Sequence, residues 1–133
     1  MTVPVLSMFT KLIVDDEEKM ASYYAAVYGL TPAIRVTGDS IGTGENFREV
    51  IMLRGEDMAS GTLVMFKFVD RPKPRDQQVI LGFVTEDLDG LKARILANGG
   101  KLVGPTRDEP DHGVRVQFSE DPEGGFAENV QML

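Results

Sequence analysis

The chain contains no cysteine and no tryptophan, and a single histidine, His112. Without cysteine there are no disulfides, no thiolate metal sites and no cysteine nucleophile, so nothing calls for an oxidising compartment. No apolar run approaches the ~20 residues that a membrane-spanning helix needs. The opening MTVPVLSMFTK lacks a basic n-region and is interrupted by Pro4, so it does not read as a secretory signal, and a cytoplasmic protein is expected. Positive charge is scarce as well: 14 Lys and Arg stand against 21 Asp and Glu, a formal net charge of -7. Such a chain repels phosphate backbones and anionic lipid, which argues against nucleic acid or a membrane surface as partner.

What is present is a globular composition, 42% apolar and 26% charged, over 133 residues. That is the size of one domain, able to bury about two thirds of its unfolded surface without staples. The chain also repeats itself. At an offset of 71 residues, Asp15 and Asp16 meet Glu86 and Asp87, Met20 meets Leu91, Tyr24 meets Ile95 and Gly29 meets Gly100. In each copy a short apolar run ends in an acidic pair, a helical pattern follows, and glycine stops it before a second apolar run. Halves of about 65 residues are marginal alone. They are expected to share one core, within the chain or across a dimer.

In the first copy SMFTKLIV alternates, with Thr10, Leu12 and Val14 on the face toward the following helix and Phe9, Lys11 and Ile13 on the other. Asp15 is the expected N-cap, with Glu18 completing a capping box, and Met20, Tyr23, Tyr24, Val27 and Tyr28 form one helical stripe ended by Gly29. The stripe reads as core packing rather than as a cofactor contact. AIRVT, FREVIMLR and TLVMFKFV follow as strands, joined by GDSIGTGEN and GEDMASG. Gly42-Thr43-Gly44 leads into a strand, not a helix N-terminus, so it is read as a flexible loop and not a phosphate cradle. DRPKPRDQQ reads as a solvated linker, its Arg71, Lys73 and Arg75 included.

The second copy opens with VILGFVT, and its helix is capped by Asp87, packs through Leu88, Leu91, Ile95 and Leu96, and stops at Gly99-Gly100. KLVGP, VRVQFSE and FAENVQML are the remaining strands, separated by the loop TRDEPDHG and the turn EDPEGG. His112 sits in turn chemistry and is expected to be exposed and without a role.

Taken in order, the strand ending in VDD before SYYAAVYGL, the second start VTEDLDGLKARILANGGKLVGP and the ending GVRVQFSEDPEGGFAE resemble the vicinal oxygen chelate superfamily. This is the fold of glyoxalase I, extradiol dioxygenases and bleomycin-resistance proteins. The resemblance covers nearly the whole chain. It implies an α+β fold of two βαβββ modules, forming a curved eight-stranded mixed sheet around a cleft with the helices outside. Residues 1–133 then make one domain, with module 1 at about 7–70, a linker at about 71–78 and module 2 at about 79–133.

In catalytic members of that superfamily a divalent metal is held by one side chain from the first and last strand of each module. Carried over to this sequence, the two opening positions fall on Phe9 and Ile80, and the end of the first module falls within Leu63 to Phe66. Glu128, after DPEGG, is the one family ligand retained. Phe and Ile have no lone pair, and a divalent ion needs several N or O donors to offset its lost hydration. No cofactor is therefore expected, and no divalent metal. The implied function is a metal-free, small-molecule-binding protein similar to bleomycin-resistance proteins, its cleft lined by Phe9, Lys11, Ile13, Met52, Met65, Ile80 and Glu128 around an apolar or aromatic ligand. Lys11 is expected to pair with Glu128 near the family's metal position. An enzyme of the same fold, using a non-standard or metal-independent site with Lys11, Glu128 or His112, is the alternative. A homodimer is expected, since Tyr23, Tyr24 and Tyr28 are many aromatics for one short helix.

Overall fold

The computed structural model describes residues 5, 7–39, 42–57 and 60–133. Residues 1–4 and 6 of the N-terminal stretch, 40–41 of GDSIGTGEN and 58–59 of GEDMASG lie outside the described residues. The chain divides into two compact units, Met1–Pro74 and Arg75–Leu133. In unit 1 the order is β1 (Thr10–Ile13), α1 (Glu17–Tyr28), β2 (Thr31–Gly38), β3 (Phe47–Leu53) and β4 (Thr62–Phe68). Unit 2 repeats it with β5 (Leu81–Val84), α2 (Leu88–Ala97), β6 (Lys101–Glu109), β7 (Val114–Glu120) and β8 (Phe126–Met132). Each unit is a βαβββ module. The eight strands form two open four-stranded sheets, ordered β1-β4-β3-β2 and β5-β8-β7-β6. In each the first strand lies parallel to the last and the other neighbours are antiparallel.

The helix starts show what the repeat encodes. Asp16, not Asp15, is the N-cap of α1: its carboxylate accepts from the Lys19 amide at 3.0 Å, as Asp87 accepts from the Gly90 amide at 3.0 Å in α2. Asp15 points elsewhere and accepts from the Lys73 amide at 2.8 Å. Gly29 ends α1 at φ 72°, a left-handed conformation in which a Cβ would be strained. Met20, Tyr24 and Val27 are at most 1% exposed. Tyr23 and Tyr24 meet edge to face at 5.1 Å and Tyr24 stacks on Tyr28 at 5.6 Å, so the tyrosines are spent on this unit's own core and do not argue for a partner copy. In α2, Leu88, Leu91 and Ile95 are buried, whereas Leu96 is 57% exposed and lies off the stripe.

Register assigns the faces. Arg48 and Arg35 reach from the sheet to Glu17 (3.0 Å) and Glu18 (2.6 and 2.9 Å) in the first turn of α1. The exposed Arg35 bond holds the Glu18 carboxyl below its ordinary value of 4.5. Because alternate residues share a face, Val50 and Met52 lie on that helix side with Arg48, and so do their ladder partners Met65 and Leu63. Met52 and Met65, expected in a cleft wall, are both 0% exposed in the core under α1. Burial of each contributes about 1.5–3 kcal/mol. The opposite face carries Lys11, Ile13, Glu49, Val64 and Phe66.

The stretch after β4 is not a free linker. Asn46 donates to Asp70 at 3.2 Å, Arg71 bonds Glu45 at 2.7 Å and lies 3.6 Å from the Phe68 ring centre, and Lys73 is tied to Asp15. Arg71 is thus a clamp on unit 1. No helix among the described residues is long and apolar enough to cross a membrane.

Candidate functional site

The site is built on a break in β6. Its ladder with β7 runs from Lys101 to Val103, skips three residues, and resumes at Arg107. Gly104 makes the break possible with φ 70°. The expected loop TRDEPDHG is therefore half strand, since pairing resumes once the bulge is passed. Gln117 holds the bulge from behind. Its amide, 1% exposed, donates to the Val103, Gly104 and Phe118 carbonyls at 3.3, 3.1 and 2.9 Å and accepts from the Thr106 hydroxyl at 2.6 Å. Lys92 of α2 bonds that hydroxyl at 2.7 Å. Asn129, 0% exposed, donates to the Gln117 carbonyl and the Ser119 hydroxyl at 3.0 and 2.9 Å. Among the described residues no buried side-chain N or O lacks a partner. The polar groups under α2 are satisfied, as burial requires.

Gln131 accepts from the Leu88 amide at 2.7 Å, which puts Gln131, Asn129 and Ala127 on the helix side of β8 and Glu128 on the other. That other face is concave. It encloses about 530 Å³ lined by Val103, Gly104, Pro105, Arg107, Glu109, His112, Val116, Phe118 and Glu128, all of unit 2. The strand pairing orders them in rows: Val103, Phe118 and Glu128 across one line, Arg107 and Val116 along the next. Phe118 stacks on Phe126 at 5.2 Å, which fixes the aromatic part of the floor. The result is an apolar floor with charged groups around it, the usual make-up of a small-molecule pocket.

Of the residues expected at the site, this concavity contains Glu128 alone. Phe9 and Ile80 precede β1 and β5 and are 55% and 58% exposed. Lys11, expected to pair with Glu128, is engaged within unit 1: its ammonium bonds Glu49 at 2.8 Å and stands 5.2 Å from the Phe66 ring centre. Ile13 shares that face and pairs with Phe66 in the ladder. His112 lies in a single 3-10 turn, Pro110–His112, as its sequence suggests, but that turn borders the concavity. Val116 and Phe118 were not named from the sequence, although their signal was legible: the alternation of VRVQFSE across a tight turn from FAENV sets them on the face of Glu128. Arg107 was not, because its inward position depends on the bulge.

At the positions where the resemblance expects metal ligands, register sets the donor chemistry. Glu128 pairs with Gly82 and Val64 pairs with Lys11, so Val64 is the counterpart of Glu128 in the first module. Phe9, Val64 and Ile80 have no lone pair, and among the described residues no three His, Asp or Glu side chains gather around one point. These residues do not fit a divalent ion, which needs several such donors.

The family description Glyoxalase/Bleomycin resistance protein/Dioxygenase superfamily matches residues 6–127. The chain belongs to this superfamily. The match stops one residue short of Glu128. No curated protein matches the sequence. Among solved structures, the superfamily fold is shared with a glyoxalase family protein from Bacillus cereus, at TM-score 0.81 and 17% identity over 98% of this chain and 97% of that one. A glyoxalase I variant from Zea mays gives TM-score 0.75 and 14% identity, with 93% of this chain covering 44% of that one. The fosfomycin resistance protein of Listeria monocytogenes, solved with Mn(II) and sulfate, gives TM-score 0.68 and 17% identity over 99% and 95%.

Proposed function

We propose that this superfamily member is a metal-independent small-molecule-binding protein, similar in role to bleomycin-resistance proteins, whose ligand presents an apolar or aromatic body. The observation that carries this reading is the 530 Å³ concavity floored by Val103, Val116 and Phe118, where the one retained family carboxylate, Glu128, has no second donor of the family set beside it. The Listeria relative was solved with Mn(II). Here Phe9, Val64 and Ile80 stand where such an ion would need N or O donors. An apolar wall instead favours a ligand that sheds water from a ring or an alkyl chain.

The test is a thermal-shift screen of aromatic and aliphatic small molecules in excess chelator. A ligand present at 100 times its Kd adds about 2.7 kcal/mol to stability, a rise readily seen in a melt. The expected result is stabilisation by aromatic compounds that is unchanged by the chelator and lost in Phe118→Ala. Stabilisation that appears only with added Mn(II), Ni(II) or Zn(II) would overturn the proposal.

A further inference from the structure

The concavity of unit 2 is lined by charged groups of both signs, Arg107, Glu109 and Glu128. Five basic side chains of the molecule pair with carboxylates: Lys11 with Glu49, Arg35 with Glu18, Arg48 with Glu17, Arg71 with Glu45 and Arg115 with Asp108, at 2.6–3.0 Å. Three of these pairs, those of Arg35, Arg71 and Arg115, form at exposed positions where water competes with them. Arg107 lines the same concavity as Glu109 and Glu128, yet among the described residues no ion pair or hydrogen bond engages the side chain of any of the three. Proximity alone has not closed the charges on one another.

The ladder explains why. Arg107 pairs with Val116, two residues along β7 from Phe118, and Phe118 pairs with Glu128 one strand further on. Two strand spacings across and two residues along separate the Arg107 and Glu128 backbones by roughly 12 Å. Val116 and Phe118 lie in that interval. The bulge that Gln117 pins sets the separation, because it decides which β6 residue faces Val116.

We propose that the concavity takes a ligand charged at both ends, its anionic group on Arg107, its cationic group on Glu128, and an apolar ring between them against Val116 and Phe118. The proposal rests on the small-molecule reading above and adds the ligand's charge pattern. A guanidinium offers a planar fork to a carboxylate, and Glu128 offers both oxygens to an ammonium beside the face of an aromatic ring. Each end is a charge-assisted contact on a group that the protein itself leaves open.

Four probes of one shape separate the two claims: para-(aminomethyl)benzoate, charged at both ends; para-toluate, the anion; para-methylbenzylamine, the cation; and para-methylbenzyl alcohol, neutral. Kd values come from amide shifts of the intact labelled protein at neutral pH. The doubly charged probe is expected to bind about tenfold or more tighter than any other, a gap of one charge-assisted contact. Arg107→Gln should bring it down to the Kd of the amine, and Glu128→Gln to that of the toluate. Because neither side chain holds a partner, both variants should keep the wild-type fold, with amide shifts changed only around the substituted residue, and the wild-type series carries the test without them. Four equal Kd values with shifts at Val116 and Phe118 would overturn the charge pattern and leave small-molecule binding standing. No shift at those amides with any probe would overturn both.

Discussion

Lys11 illustrates how a residue can keep its face and change its role. Alternation puts it on the side of β1 turned from α1, and the register agrees. Its partner is Glu49 on β3, a carboxylate 7% exposed whose burial calls for a hydrogen-bond donor. No periodicity within β1 could name that partner, because β4 lies between β1 and β3 in the sheet. Lys11→Met should therefore destabilise unit 1 by about 1–3 kcal/mol, the penalty of a buried acceptor left without its donor. Lys11→Met with Glu49→Leu should recover most of it, because removing both partners of a buried pair is often neutral. Urea unfolding of the two variants is the check. A single variant as stable as wild type would contradict the pairing. Met52 and Met65 failed as cleft residues for a related reason. Both faces of β3 and β4 are apolar, so hydrophobicity does not tell which face a helix covers, and it took the arginines reaching for Glu17 and Glu18 to decide.

At the scale of elements the sequence was most legible where chemistry is local. The N-cap of α2, the glycine stop of α1 and the hairpin of β7 and β8 follow from side-chain hydrogen bonding and turn conformation within a few residues. The N-cap of α1, expected at Asp15 and found at Asp16, also has a local answer, since Asp87 is the repeat mate of Asp16. The bulge in β6 was hidden because it is stabilised from a distance, by Gln117 fourteen residues after Val103. Gln117→Leu keeps the volume but removes the amide that meets the Val103 and Gly104 carbonyls. It should cost about 1–3 kcal/mol, as buried acceptors are left unsatisfied. Amide hydrogen exchange should quicken around Gly104, Thr106 and Arg107, while the ladder between β7 and β8 keeps its protection. Unchanged exchange across the bulge would show that the backbone holds this conformation without Gln117.

For the whole molecule, an internal repeat plus an ordered set of weak signatures was enough to reach the fold, because each copy must solve the same packing problem of one helix on one mixed sheet. The site was less accessible. The repeat predicts equivalent positions, whereas the two copies have diverged in what those positions carry: Val64 against Glu128, Lys11 against Gly82. The open face of unit 1 closed one charge pair of its own, and that of unit 2 kept Arg107 and Glu128 apart over an apolar floor. The proposed function accordingly rests on the second copy. The most direct measurement is an amide shift map of the chelator-treated protein with an aromatic compound that stabilises it. Shifts centred on Gly104, Val116, Phe118 and Glu128 that persist in excess chelator are expected. Shifts that need an added divalent ion, or that centre on residues of unit 1, would contradict it.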